Sequence, residues 1–282
     1  MNIIEAILLG IIQGITEFLP ISSTAHLTIA GKIMNLISAE NPERWTAFIA
    51  VIQLGTMMAV IIYFWKDLYS IVKEFLKENL IERKKFVQQN LNSKLGWFIM
   101  IGTLPIVVIG LLFKNAIEGA FTKDLIVISI SLIVLGIILA VAEKAGNFKR
   151  DIKDLKWYDA LIVGLAQAVA LIPGSSRSGT TITASLFLGL TRETAARFSF
   201  LLSIPAVLAS GLLEFAESAK YLNQSMALNL IVATIVSVIS GYLAIDFLLK
   251  FLRKNTTFIF IYYRIFIGII ILGLIFFNYI SR

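Results

Sequence analysis

Two short stretches of the chain concentrate residue types that do chemistry, in surroundings that are otherwise apolar. In the first, Gln13 and Glu17 stand four apart, so both side chains share one helix face. Ser22, Ser23, Thr24 and His26 follow just after Pro20, with Ser23 and His26 again on one face. In the second, Ser175, Ser176, Arg177, Ser178, Thr180 and Thr181 cluster behind Pro173 and Gly174. A Ser/Thr/Gly-rich turn that opens a helix leaves several backbone N–H groups without acceptors. With the helix dipole, such a turn makes an anion site. Arg177 adds a planar, permanently charged fork suited to phosphate oxygens, and Glu17 and His26 bring acid, base or metal-binding capacity beside it. The ligand that fits this set is a phosphate or diphosphate presented from within a membrane.

Blander readings exist for each part alone. Serine-rich turns often serve only as helix caps, a single histidine is more often a structural hydrogen-bonder, and Arg177 could pair with Glu17 simply as structural glue. Co-occurrence favours a site: an Arg, a Glu and the chain's one His fall in the two places where helices break. Glu143, Asp246, Arg264, Glu214 and Glu217 lie near expected span ends, where snorkelling or orientation accounts for them. Gln53 and Gln167 are candidates for lining a cavity.

The elements that must position these residues are membrane spans. Of 282 residues, 58% are hydrophobic and 15% charged, with a mean hydropathy of +0.85. Soluble domains are about 25% charged, so the charge deficit excludes a cytosolic enzyme and a disordered chain. The absence of cysteine excludes disulfides and thiolate chemistry, and one histidine excludes a multi-His zinc site. No convincing signal peptide opens the chain, because Glu5 interrupts the apolar run and no basic residues precede it. Segments of about 20 apolar residues suffice to span. Six are expected, at 45–66, 95–114, 124–143, 196–216, 226–249 and 258–280.

Residues 2–35 and 157–190 differ in kind. Each is apolar but broken near its centre by Pro, Ser, Thr and Gly, which leaves halves too short to cross. Each therefore reads as a re-entrant helical hairpin with its irregular turn buried in protein or lining a cavity. Gly10 and Gln13 parallel Gly164 and Gln167, and Phe48 and Phe198 open comparable helices about 150 residues apart. The unit of one hairpin and three spans thus occurs twice. Three crossings are odd, so the second copy must be inverted, an arrangement that points to a site near the midplane. The expected fold is an all-α polytopic integral membrane protein of six transmembrane helices and two re-entrant hairpins in an inverted-topology repeat. It forms a single membrane domain, 1–282, with halves at about 1–144 and 157–282 joined by a basic loop, 145–156.

The net charge of +7 reads as loop charge rather than as a nucleic-acid surface. Loops 66–94, 144–157 and 250–257 hold fifteen Lys and Arg, against six on the opposite side. That bias puts the three basic loops in the cytoplasm and both termini outside. The first hairpin then enters from outside and the second from the cytoplasm. Residues 66–94 are amphipathic and expected to lie along the inner interface.

The stretches QGITEFLPISSTAH (13–26) and PGSSRSGT (173–180) resemble the two signatures of the bacitracin-resistance-type undecaprenyl-diphosphate phosphatases, and the likeness extends over essentially the whole chain. The resemblance implies hydrolysis of undecaprenyl diphosphate to undecaprenyl phosphate and inorganic phosphate in the bacterial cytoplasmic membrane. This recycles the lipid carrier for peptidoglycan synthesis and confers bacitracin resistance. It assigns Glu17 to an acidic motif, Ser23 and His26 to a Ser-Ser-Thr-x-His element, and Ser176, Arg177 and Ser178 to a phosphate-binding element. Gln13 departs from many members, which carry a second Glu there, and this weakens a pair of acidic metal ligands.

The expected catalytic residues are Glu17, Ser23, His26 and Arg177, with Gln13, Ser22, Thr24, Ser176, Ser178 and Thr180 binding substrate. Ser23 is the preferred nucleophile with His26 as its general base; a phosphohistidine at His26 is the competing assignment. Glu17 is the candidate ligand for a divalent cation, Mg²⁺ or Ca²⁺. The partners expected are the undecaprenyl diphosphate lipid and membrane lipids, with no nucleic acid. Oligomeric state is left open, a homodimer included. The alternative function is a transporter or flippase for a polyprenyl phosphate lipid, since broken helices in inverted repeats also build carriers.

Overall fold

A computed structural model describes residues 1–37, 42–113, 124–218, 227–278 and 280. Among these, six helices are long and apolar enough to cross a membrane. Helices α1 (Ile3–Phe18) and α2 (Ser23–Ile33) form the first hairpin, and α3 (Pro42–Tyr63) is the first span. The amphipathic α4 (Trp65–Leu76) follows, then spans α5 (Leu91–Leu112) and α6 (Leu125–Ala145). In the second half, α7 (Trp157–Ala168) and α8 (Arg177–Phe187) form the other hairpin. The spans α9 (Arg192–Ser218), α10 (Ala227–Leu252) and α11 (Phe258–Phe276) complete the chain. The six spans and both interrupted segments fall where hydropathy puts them, with ends shifted by a few residues. Apolar side chains stay exposed along the spans, including Leu104, Ile130, Ile235 and Phe266, as lipid-facing helices require.

Local chemistry explains both breaks. Helix α1 opens with a capping box, in which Asn2 Oδ1 accepts from Glu5 N at 2.9 Å and Glu5 Oε2 from Asn2 N at 2.7 Å. The residue that interrupts the apolar run is therefore the one that starts the helix. The first helix stops at extended Leu19 before Pro20. Ser22 then takes φ +76°, and its hydroxyl accepts from Ala25 N as α2 begins. The second hairpin repeats this turn: Gly174 sits at φ +84°, Ser176 at φ +67°, and the Ser176 hydroxyl accepts from Gly179 N at 3.2 Å. A positive φ costs a non-glycine residue on the order of 1–3 kcal/mol. The same strained serine at both caps marks the two turns as equivalent built features.

Packing exchanges partners between the halves. Helix α1 lies mainly on α10, and its counterpart α7 lies on α5, while α3 packs on α9 and α6 on α11. Two glycines make the hairpin contacts close. A Cβ at Gly14 would strike Gly241 N and Ser237 O of α10, and one at Gly164 would strike the Gly102 backbone of α5. The hairpins are thus pressed against spans of the opposite half, which brings their turns to one place in the interior.

Ion pairs gather at one end of the bundle, that of the basic loops. Glu143, 4% exposed, takes Arg192 and the Thr257 hydroxyl on its two oxygens. Asp67 pairs with Arg197, and Glu193 with Arg253. Arg150 pairs with fully buried Asp159 and also donates to the carbonyls of Leu188 and Asp154, pinning the loop between the halves to the second hairpin. The Asp159 hydrogen bond raises the Arg150 pKa. Glu143 is therefore a buried strut between three elements, correcting the expectation that it snorkels at a span end.

Candidate active site

The two hairpin turns meet, and the carboxylate of Glu17 is where they join. Its Oε1 accepts from Arg177 Nη2 at 3.0 Å, a contact spanning 160 positions of sequence. Its Oε2 accepts from Ser23 Oγ at 2.8 Å and from Gln13 Nε2 at 3.3 Å, and Gln13 also reaches Thr56 Oγ1 of α3 at 3.4 Å. Both partners of the ion pair are about nine-tenths buried. The pair lines a cavity of about 390 Å³ with Ser22, Ser23 and Thr24 from the first turn, Gly174, Ser175 and Ser176 from the second, and Gln53 from α3. The remaining walls are largely apolar: Ile106, Val107 and Leu111 of α5, Val207 and Leu213 of α9, and Leu171 and Ile172 of the second hairpin. One end of the cavity is therefore charged and hydroxyl-rich, and the rest suits hydrocarbon.

Two polar atoms around the Glu17 carboxylate have no partner among the described residues. Arg177 Nη1 and Gln13 Oε1 are buried and unsatisfied. An orphaned buried donor or acceptor costs about 1–3 kcal/mol. A guanidinium nitrogen left open beside two helix N-termini is suited to an incoming oxyanion.

A model of the family described as bacitracin resistance protein BacA matches residues 6–270. The chain belongs to this family. It is 59% identical over 276 residues, 98% of each chain, to an undecaprenyl-diphosphatase of Syntrophobacter fumaroxidans. It is 49% identical over 284 residues to an undecaprenyl-diphosphatase of Chloroherpeton thalassium, covering 98% of this chain and 97% of the other. A Myxococcus xanthus protein of the same name is 48% identical over 275 residues, covering 98% and 90%. The family match spans both hairpins and every element that walls the cavity.

The expected site residues divide into three groups. Glu17, Arg177, Gln13 and Ser23 come together around one carboxylate, and Ser22, Thr24 and Ser176 line the same cavity. Ser178 and Thr180, expected to bind substrate, instead hold the scaffold. Ser178 Oγ donates to Leu19 O at 3.1 Å across the hairpin junction, and Thr180 Oγ1 donates back to Arg177 O at 3.0 Å. Ser178, one residue on from Arg177, points to another face of the helix, and Thr180, three residues on, spends its hydroxyl on the Arg177 carbonyl.

His26, expected as the general base for Ser23, has other hydrogen-bond partners in the structure. Its Nδ1 lies 2.7 Å from Ser22 O and its Nε2 lies 2.7 Å from the Tyr263 hydroxyl, with the two rings stacked. A carbonyl can only accept, so Nδ1 carries the proton, and in the neutral ring Nε2 accepts from Tyr263. Both nitrogens are committed, and the carboxylate that accepts from the Ser23 hydroxyl is that of Glu17. Gln53 lines the cavity as expected, whereas fully buried Gln167 does not.

Arg264, read from sequence as a residue near a span end, is buried at the hairpin junction and donates to Pro20 O and Ser175 O. Its placement within α11 was the available signal, since an arginine at bilayer depth costs about 2.5–3.5 kcal/mol and asks for a reason.

For a divalent cation the fit rests on oxygen donors. Among the described residues no three or more His, Asp or Glu gather into a group that could hold a metal ion; the carboxylate that lines the cavity is Glu17, and Gln13, buried beside it, is not among the lining residues. One carboxylate suffices for Mg²⁺ only where water and substrate phosphates fill its remaining positions.

Proposed function

We infer that this protein is an undecaprenyl-diphosphatase. It hydrolyses undecaprenyl diphosphate to undecaprenyl phosphate and inorganic phosphate, and thereby confers bacitracin resistance. The observation that carries this reading is the Glu17–Arg177 contact across the two hairpins, set at the polar end of a cavity whose other walls are hydrocarbon. A volume of about 390 Å³ is far below that of the whole lipid. The diphosphate and its first isoprene units occupy it, and the rest of the tail runs between α5 and α9 into the bilayer.

Arg177 Nη1 and the first-turn amides of α2 and α8 hold the terminal phosphate, because phosphoryl transfer needs neutralised, positioned oxygens above all. Ser23 Oγ attacks the terminal phosphorus, and its proton passes to Glu17 Oε2, on which it already donates. The bond from phosphorus to the bridging oxygen breaks, and undecaprenyl phosphate leaves with the proton that Glu17 returns to it. Water then attacks phospho-Ser23, giving one proton to the Glu17 carboxylate, which passes it to Ser23 Oγ as the phosphoserine bond breaks and phosphate is released. Glu17 would hold a divalent ion, which when bound supplies charge neutralisation at the phosphates. His26 donates to the Ser22 carbonyl and so orients the Ser22 turn.

The loop charges put the three basic loops in the bacterial cytoplasm and the termini outside. In that orientation Ile106–Leu111 of α5 and Ala206–Leu213 of α9 lie in the outer half of the membrane, so the cavity opens outward. The inverted relation of residues 1–144 to 157–282 accords with the exchanged packing partners and the paired positive-φ serines. Purified protein in detergent should release phosphate from undecaprenyl diphosphate, and lipid labelled on its terminal phosphate should transfer the label to Ser23. A labelled His26 would reassign the nucleophile. Transport of a polyprenyl phosphate without phosphate release would favour a carrier.

A further inference from the structure

Arg264 is among the largest side chains buried completely, at 1% exposure, and it lies within a membrane span, nearer its start than its end. Its Nη1 donates to Pro20 O at 3.3 Å and its Nη2 to Ser175 O at 2.8 Å, while Nε has no partner among the described residues. The first carbonyl belongs to the turn of one hairpin and the second to the turn of the other. One side chain thus bridges the junction that Glu17 and Arg177 also bridge. The acceptors are neutral, and no carboxylate pairs with Arg264 among the described residues. Arg177 is balanced by Glu17, so the junction carries one positive charge in excess.

The guanidinium stands just behind the cavity wall. Ser175 and Ser176 line the cavity, and a Cβ placed at Gly179, in the first turn of α8, would run into Arg264 Nη1 and approach the Ser176 side chain to 3.2 Å. A buried charge without a counter-ion is costly, and in a medium of low dielectric its field reaches well beyond contact distance. An anion in the cavity would be the missing counter-charge.

We propose that Arg264 is a positioning residue that fixes the two hairpin turns against each other and supplies, through the Ser175–Ser176 turn, part of the positive field that holds the diphosphate. It does not touch the substrate. This rests on the reading of the cavity as a diphosphate site, and it adds a second cation to the one that reaches the ligand directly.

The test compares wild-type protein with Arg264→Lys and Arg264→Gln, purified whole in detergent. Three quantities are read: kcat and KM on undecaprenyl diphosphate, the unfolding temperature, and the affinity for methylene diphosphonate, a diphosphate mimic that resists hydrolysis, by calorimetry. Arg264→Lys keeps the charge and loses the fork, so it should bind the mimic within about threefold of wild type while kcat falls about tenfold. Arg264→Gln keeps donor groups without charge and should bind at least tenfold more weakly, a change of about 1.4 kcal/mol, at an unfolding temperature close to that of the Lys variant.

Equal affinity in the two variants, or losses that simply track a falling unfolding temperature, would make Arg264 a plain strut and overturn the proposal. So would a wild-type protein that releases phosphate yet does not bind the mimic. Should the Gln variant not fold, Gly179→Ala displaces the guanidinium without removing its charge. It should lower kcat at least fivefold with the mimic still bound, and an unchanged kcat would equally overturn the proposal. Failure of wild-type protein to release phosphate is a different result, which sinks the diphosphatase reading itself.

Discussion

At the scale of single residues, Glu17 is the side chain on which the site turns. It takes Arg177 on one oxygen and Ser23 with Gln13 on the other, and in the proposed mechanism it anchors the phosphate-binding cation and receives the nucleophile's proton. Glu17→Gln should lower kcat by about 10²–10⁴-fold, the range for loss of a general base. Arg177→Ala should cost about 10³-fold or more, as loss of a transition-state arginine does, with the protein still eluting as a single species. His26 offers the contrast. Its nitrogens serve Ser22 O and Tyr263, so His26→Asn should reduce kcat only about tenfold and leave the phospho-Ser23 intermediate detectable. A larger loss in the His26 variant than in Glu17→Gln, measured on undecaprenyl diphosphate, would reverse the assignment of the base. These residues were visible in the sequence as a polar set in apolar surroundings. Which of them touch was not, because Ser23 has neighbours on two faces and a spacing of three fits His26 as well as a folded-back turn fits Glu17.

Helices and turns carry the next level of the design. The opening helix of the first hairpin stops at extended Leu19, and that of the second passes through a 3-10 turn to extended Ile172; in both, a serine at positive φ follows and caps the second helix with its hydroxyl. Close helix contact keeps the turns in place, and the glycines make it close. Gly164→Leu would drive a branched side chain into the Gly102 backbone, and such overpacking costs about 1–3 kcal/mol or more. The expected result is a lower unfolding temperature and loss of activity together. Gly110 on the cavity wall meets nothing within 4 Å of an added Cβ. Gly110→Leu should therefore leave the unfolding temperature unchanged and raise KM for the long-chain lipid. A stability loss in Gly110→Leu equal to that in Gly164→Leu would contradict the packing described. The hairpins were legible in advance from Pro, Ser and Gly breaking two apolar stretches, since a break in hydropathy is a local property. That Ser178 and Thr180 turn into the scaffold was not legible, since it depends on how α8 is rotated about its axis.

For the molecule as a whole, the question is which side the cavity faces. The ion pairs Asp67–Arg197, Glu193–Arg253 and Glu143–Arg192 close the end of the bundle that bears the basic loops, while the cavity walls come from the opposite halves of α5 and α9. The natural absence of cysteine makes the test direct. Phe113→Cys should react with a membrane-impermeant maleimide added outside intact cells, whereas Lys153→Cys should react only after permeabilisation. The reverse pattern would place the opening on the cytoplasmic side.

Spans, breaks and the polar content of the turns were determined by the sequence itself, because the free energy of moving a segment into a bilayer is a sum over neighbouring residues and can be read along the chain. Pairings over long distances were decided only by the tertiary structure: Glu17 with Arg177, Arg264 with two carbonyls from different hairpins, Glu143 with Arg192 and Thr257. Each depends on the rotation and depth at which one helix meets another, set by close contacts such as Gly164 on Gly102. An isolated arginine in an apolar helix reads the same whether it will snorkel to a surface or be locked behind a phosphate site, until the packing of its neighbours is known.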